Sequence, residues 1–306
     1  MNKNRCHNIR KNLELRAKIM TSIRSYFENK GYLEIETPIR IPAPAPEAHI
    51  DAQPSGSWFL HTSPELCMKR LLANDFERIF QLCKCFRKGE RGHLHLPEMT
   101  MLEWYTVGHD YLDIMQQCED LIVSVALSIC QAETIQYQGQ EIDLTKPWHR
   151  MTVSEAFEKY ASESLSSAVQ NGTFDEIIGC EIAPKLGLQK PVFLFEYPAA
   201  LGSLARSKPE DQRMAERFEL YIAGIELCNA FSELTDPVEQ RKRFAAEIDQ
   251  RRVSGKTVYP LPESFLQALA VMPASAGNAL GIDRLVMLFA DASDIGEVVA
   301  FTPESC

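Results

Sequence analysis

Three observations predict an α+β fold, a mainly antiparallel sheet flanked by helices. Alternating apolar segments come in adjacent pairs, 80–86 with 97–105 and 217–222 with 225–231, each pair joined by a charged or glycine-broken turn. Helical patterns such as 13–27 and 110–131 lie outside these pairs and do not alternate with single strands, which excludes a doubly wound parallel sheet. The chain also lacks Gly-x-x-x-x-Gly-Lys-Ser/Thr, and it lacks Gly-x-Gly-x-x-Gly after a first strand. Any bound phosphate must therefore be held by arginines and metal ions.

In chain order, residues 13–27 place Leu15, Ile19, Ile23 and Phe27 four apart, an amphipathic helix that stops at Asn29-Lys30-Gly31. Residues 32–36 alternate as a strand up to Thr37-Pro38, and the proline-rich stretch 42–54 is expected to be an extended loop. A short strand over 58–62 leads to Ser63 as N-cap, Pro64 as first helical residue and a helix over 66–73. Next comes strand 80–86, a charged turn broken by Gly89 and Gly92, and the returning strand 97–105. The helix 110–131 is expected to turn Leu112, Met115, Leu121, Ile122 and Val125 inward.

Beyond it, a hairpin over 134–144 and short helices broken at Gly172 and Gly187 read as an insertion, 108–215 with its connecting strand, packed on one domain of residues 1–306. Residues 192–197 form a buried strand ending at Pro198. Strands 217–222 and 225–231 should place Glu219 and Glu226 at neighbouring positions. A charged helix over 237–252 follows, and 277–284 leads into a last apolar helix, 285–290.

The chain has 306 residues, 45% hydrophobic and 24% charged, an ordinary composition for a globular protein that can bury a sizeable core. No apolar run approaches a membrane span and no signal-peptide pattern opens the sequence, so a cytoplasmic location is expected. A formal charge of −10 argues against a broad nucleic-acid footprint. The local exception is Lys3, Arg5, Arg10, Lys11, Arg16, Lys18 and Arg24, a solvated helix face or a dock for an acidic partner. Cys83-x-Cys85 is the one close cysteine pair and cannot alone complete a tetrahedral zinc site. His93-x-His95 lies near enough in sequence to complete one, but buried free thiols are the simpler expectation.

The chemistry-bearing residues are acids and arginines. Glu219 and Glu226 on adjacent strands would repel each other if buried and ionised, a conflict that Mg²⁺ relieves while bringing substrate phosphates with it. Glu65, Glu103 and Glu233 add negative charge suited to a substrate with more than one ammonium group. Arg87 and Arg284 offer the opposite charge for a triphosphate. Taken singly, Glu103 could be a salt-bridged acid and Arg284 a surface residue at a helix start. Together they point to ATP and a diamino acid.

These segments resemble the catalytic core of the class II aminoacyl-tRNA synthetases, most closely the lysyl subgroup. Lys30-Gly31-Tyr32-Leu33-Glu34-Ile35-Glu36-Thr37-Pro38 is similar to motif 1, Phe86-Arg87 through Glu103-Trp104-Tyr105 to motif 2, and Gly281-Ile282-Asp283-Arg284 to motif 3. Thr62-Ser63-Pro64-Glu65 and the stretch from Glu226 to Leu234 are similar to lysine-binding segments. The resemblance implies a class II synthetase-like fold and a homodimer through motif 1. The motif 1 segment begins near residue 30, leaving room for one helix where lysyl enzymes carry an anticodon-binding domain, so tRNA is not an expected partner. The resemblance thus narrows to truncated cores of the elongation factor P–(R)-β-lysine ligase family. That family activates (R)-β-lysine with ATP and transfers it to a lysine side chain of elongation factor P.

By that resemblance, Arg87 holds the α-phosphate, Arg284 lies against adenine and the outer phosphates, and Glu219 and Glu226 hold Mg²⁺. Glu233 and Tyr105 grip the distal ammonium, while Glu65 and Glu103, with Ser63 and Asn229, receive the other amino group. Leu227, Gly281 and backbone near Gly89 and Leu96 line the nucleotide site. Three positions depart from the lysyl pattern. Glu90 is displaced by one residue behind Gly89, Met99 replaces a phenylalanine expected to stack on adenine, and Ala279 replaces a glycine, which favours β-lysine. The other readings are a lysyl-type ligase acting on another acceptor and a non-catalytic regulatory paralogue.

Overall fold

The computed structural model describes residues 3–306, with side chains from Ile9 onward. Lys3 and Arg5 of the basic run have side chains outside the described residues. The first helix, α1 (Lys3–Asn29), buries Ile19, Ile23 and Phe27 at the expected spacing of four. It ends where Gly31 takes φ +76°, a left-handed conformation that glycine adopts without a Cβ clash. The expected strand 32–36 shrinks to β1 (Leu33–Glu34) at the sheet edge. Small strands β2 (Arg40–Ile41), β3 (Pro54–Ser55) and β4 (Trp58–Leu60) form a separate three-stranded sheet that flanks the proline-rich loop.

Helix α2 (Glu65–Leu72) starts later than the sequence pattern implies. Pro64 occupies the N-cap position at φ −76°, and the Ser63 hydroxyl accepts from the Glu65 amide at 2.9 Å. Strands β5 (Arg78–Phe86) and β6 (Glu98–Val107) make the expected hairpin, paired from Arg78↔Thr106 to Phe86↔Glu98. Asp110 caps α3 (Tyr111–Cys130) with a capping box. Leu112, expected inward, is 40% exposed instead, because the buried stripe runs through Tyr111, Ile114, Met115 and Cys118 and leaves Leu112 beside Asp113 and Gln116.

A hairpin of β7 (Thr134–Tyr137) and β8 (Gln140–Asp143) leads to β9 (His149–Thr152), then α4 (Val153–Tyr160), α5 (Leu165–Asn171) and α6 (Phe174–Ile177). The strand expected over 192–197 is β10 (Val192–Pro198), and it lies beside β9, so both extend the main sheet. Strands β11 (Met214–Ile222) and β12 (Ile225–Ser232) pair antiparallel. Then come α7 (Pro237–Val253), α8 (Glu263–Leu269), β13 (Ser275–Gly281) and α9 (Ile282–Ala290). The segment from Ser275 to Gly281 is a full strand, not a lead-in to the last helix. Its small residues carry little strand signal.

The main sheet has eight strands in the order β1-β5-β6-β13-β12-β11-β10-β9, antiparallel except for β1/β5 and β9/β10. One face carries the rows Phe80–Trp104–Asn278–Ala230–Phe218 and Leu82–Leu102–Leu280–Cys228–Leu220. Most of these side chains join α1, α3 and α9 in the largest core cluster, where each large apolar side chain contributes about 1.5–3 kcal/mol. Phe27 stacks on Phe80 there at 4.7 Å. With period two, the intervening rows must face the other way. Those rows are Ile79–Tyr105–Gly277–Phe231–Arg217 and Gln81–Glu103–Ala279–Asn229–Glu219. This second face is the polar one.

Candidate active site

A cavity opens on the polar face. Fourteen of the expected site residues line it: Ser63, Glu65, Arg87, Glu90, Leu96, Met99, Glu103, Tyr105, Glu226, Leu227, Asn229, Ala279, Gly281 and Arg284. Gly89, Glu219 and Glu233 are not in its wall. Gly89 holds φ +81°, and this left-handed turn absorbs the extra residue that displaces Glu90 in sequence, so Glu90 still reaches the cavity.

The acids are held by neighbours in the register. Glu103 sits between Gln81 and Ala279 across the sheet. Its Oε1 accepts from Ser63 Oγ at 2.5 Å and its Oε2 from Tyr105 OH at 2.9 Å. Burial first, then the charge of Glu65, pushes its carboxyl well above the usual range. Glu233 is fully buried behind Tyr105 and Gly277. A Cβ on Gly277 would lie 2.2 Å from the Tyr105 ring and 2.9 Å from Glu233 Oε1, so only glycine lets ring and carboxylate meet there. Burial pushes Glu233 up to about 8, partly countered by Lys69.

Lys69 was not among the expected site residues. Its buried ammonium contacts both Glu65 and Glu233 Oε2, and these two acids raise it despite the opposing effect of burial. Glu233 Oε1 keeps no hydrogen-bond partner among the described residues. Three acids less one lysine leave two negative charges when all are ionised, matching two ammonium groups on a ligand.

The arginine side is equally incomplete. Among the described residues Arg87 Nε is buried without a partner, as is Glu90 Oε2, and the Arg87–Glu90 ion pair is long at 3.8 Å. A buried guanidinium donor without an acceptor fits an anionic ligand. Arg284 donates to Glu226 O at 2.7 Å, to Glu226 Oε2 at 3.2 Å, and to Leu94 O at 3.2 Å. Its NH2 lies 2.6 Å from His95 Nε2, and burial and then Arg284 lower the His95 pKa, so the neutral ring accepts that bond. His93 pairs instead with Asp294 at 2.9 Å. The two histidines therefore do not join the cysteine pair.

Glu219 and Glu226 lie close enough for their charges to repel, as expected, but they do not face each other directly. A register shift between Leu220 and Tyr221 sets Glu219 opposite Asn229 and Tyr221 opposite Glu226. Glu219 Oε1 accepts from Arg217 at 2.6 Å, while Oε2 accepts from Tyr197 and Tyr221 at 2.6 and 2.7 Å. Burial, then repulsion from Glu226, raises Glu219. Oε1 retains one lone pair by this count, and Glu226 lines the cavity, so the two acids fit a shared cation only through those oxygens.

Two other arginines carry the frame and were not singled out by the sequence pattern for that role. Arg251 is fully buried and donates to Glu47 O, Ile50 O, Thr257 O and Asp51 Oδ1 at 2.6–2.9 Å, shaping the loop whose Glu47 faces the cavity. Burial, then Glu65, pushes Glu47 up to about 7. Arg16, read above as part of an exposed basic face, bonds Asp283 Oδ1 at 2.6 Å and Thr100 Oγ1 at 2.7 Å, locking α1 to the start of α9. Arg10, Lys11 and Lys18 are the exposed ones among the described side chains of that run, and Arg10 pairs with Glu14.

The family model for class II tRNA synthetases (D, K and N) matches residues 1–305. An elongation factor P–(R)-β-lysine ligase of Erwinia tasmaniensis is 39% identical, the match covering 96% of this chain and 96% of that protein. A ligase of the same name from Salmonella paratyphi A is 38% identical over 95% of this chain and 94% of the relative. A lysine–tRNA ligase of Moorella thermoacetica is 36% identical over 94% of this chain, which spans only 64% of that protein. On the strength of the whole-chain family match and these relatives, the chain belongs to the class II tRNA synthetases of the D, K and N group.

Proposed function

We propose that this protein is an AMP-forming ligase that activates (R)-β-lysine, or lysine, with ATP and transfers it to a lysine side chain of elongation factor P. The observation that carries the reading is the cavity's two-sided charge. Glu65 and Glu103 line one end with Glu233 and Lys69 behind them, leaving two negative charges when the three acids are ionised, and Arg87 and Arg284 stand at the other end. Relatives that bear this ligase name along their whole length support the choice of acceptor.

In this reading the distal ammonium meets Glu233 Oε1 and Tyr105, and the second amino group meets Glu65 and Glu103, oriented by Ser63 and Asn229. The substrate carboxylate attacks the α-phosphorus beside Arg87, and pyrophosphate leaves. The acceptor amine then attacks the mixed anhydride, and AMP leaves. Positioning and charge neutralisation supply the catalysis. Glu226 and the spare lone pair of Glu219 Oε1 would hold Mg²⁺, which when bound neutralises phosphate charge. Arg284, Met99, Leu96, Leu227 and Gly281 enclose the nucleotide. Ala279, between Glu103 and Asn229 in the register, puts a methyl under the amino acid.

The test is an ATP-dependent mass gain of one lysyl group on purified elongation factor P. A gain on tRNA, or on neither acceptor, would overturn the assignment. No helix among the described residues is long and apolar enough to cross a membrane, and a cytoplasmic location is part of the proposal. So is a homodimer through residues 30–38, where Leu33 is 52% exposed and Ile39, just beyond, is 44% exposed. Sedimentation of the Leu33→Asp variant should then show a monomer.

A pH dependence follows. Glu233 sits at about 8 in the folded protein and is neutral below that value, so it cannot counter an ammonium there. The KM for lysine is expected to fall as pH rises through about 8, with the KM for ATP changing little. Steady-state kinetics from acid to alkaline pH check this, and a flat lysine KM would contradict the role of Glu233.

A further inference from the structure

We infer that His61, Cys83 and Cys85 form a binding site for a thiophilic metal ion, distinct from the magnesium position and independent of the proposed activity. Cys83 and Cys85 are two apart on β5, so they share the sheet face that also carries Gln81 and Arg87. Their sulfurs are 3.8 Å apart. Two thiolates at a Zn–S distance of about 2.3 Å in a tetrahedron are separated by about 3.8 Å, so no backbone movement is needed to bring both onto one ion.

His61 supplies the third donor. It is buried, its Nε2 is 4.0 Å from Cys85 Sγ, and the three donor atoms all lie within 4.8 Å of one another. Its backbone is fixed on both sides, its amide donating to Ile39 O at 2.8 Å and its carbonyl accepting from the Phe86 amide at 3.0 Å. A fourth soft donor is at hand in Met101, whose Sδ is 3.9 Å from Cys85 Sγ and which lines the cavity, giving an entry path.

Nitrogen and sulfur donors without a carboxylate select Zn²⁺ or Cu⁺ over Mg²⁺ or Ca²⁺. Binding both sulfurs as thiolates would release whatever thiol protons they carry to solvent. It also requires the His61 tautomer with its proton on Nδ1, so the present 2.6 Å contact of Nε2 with Lys84 O must give way. Zn²⁺ would use the three donors with an open fourth position, and Cu⁺ would add the thioether.

The reduced, metal-free protein titrated with Co²⁺ should develop a thiolate-to-metal charge-transfer band that saturates at one ion per chain and is displaced by Zn²⁺. Cys83→Ser and Cys85→Ser should each abolish the band. A variant with Cys130, Cys180 and Cys306, the exposed thiols, changed to serine should retain it. Met101→Leu should weaken Cu⁺ binding and leave Zn²⁺ binding unchanged. No band in the wild type, or a band that survives the loss of both Cys83 and Cys85, overturns the site.

Discussion

Arg87→Ala is expected to lower ATP–pyrophosphate exchange by about 10³-fold, the scale lost when one preorganised cation or donor at a transferring phosphoryl group is removed. The reason is specific to this cavity. Arg87 Nε is buried and lacks a partner among the described residues, and the long contact with Glu90 does little to neutralise the guanidinium, so its donor is available to ligand charge. Arg87→Lys should recover little, because an ammonium cannot present a planar fork. Thermal stability should hardly change, since Arg87 satisfies few protein groups. A variant that unfolds instead, or that keeps exchange within a few fold of wild type, would contradict the assignment.

Lys69→Met is expected to cost about 3–5 kcal/mol of stability, the scale for removing one partner of a buried ion pair. Methionine nearly preserves the volume, so the loss isolates the charge. Glu65 and Glu233 would remain buried with no cation between them. The pH dependence has a definite sign. A carboxyl whose folded pKa lies above its unfolded value destabilises the fold as pH rises between the two. Glu233 already does so up to about 8 in the wild type, so the part of the loss owed to Glu233 should grow as pH rises through about 8. Adding Glu233→Gln should recover part of it, and a double-mutant cycle by denaturant melts measures how much. Additive effects would show that the two groups are not coupled.

Much of the site was legible in the sequence because its hairpin has strong local signals. Alternating strands flank a charged turn, and Gly89 and Gly92 mark where the chain reverses. That placed Arg87, Glu90, Glu103 and Tyr105 correctly on one structure. The strand from Ser275 to Gly281 was missed because Ala276, Gly277, Asn278 and Ala279 have poor strand propensity, and it is pairing on both sides that keeps them extended. That Glu219 faces Asn229, with Glu226 near but not opposite, was not legible because a bulge leaves no mark in hydrophobic alternation.

The roles of Lys69, Arg16 and Arg251 share another cause. Each pairs with residues far along the chain, Lys69 with Glu233, Arg16 with Asp283, and Arg251 with the carbonyls of Glu47 and Ile50. A basic residue on a helix reads as solvated unless the tertiary fold is known. The same holds for His61, which meets Cys83 and Cys85 only once β4 and β5 are brought together.

The central claim is that the acidic end of the cavity recognises a diamino acid for activation with ATP. Its most direct measurement is ATP–pyrophosphate exchange with (R)-β-lysine, L-lysine and norleucine, which lacks the distal ammonium, in wild type and in Glu233→Gln. Exchange should be stimulated by the two lysines and not by norleucine, and Glu233→Gln, assayed above pH 8 where Glu233 is ionised, should raise the KM for lysine far more than that for ATP. Equal stimulation by norleucine, or equal effects of Glu233→Gln on both substrates, would contradict it.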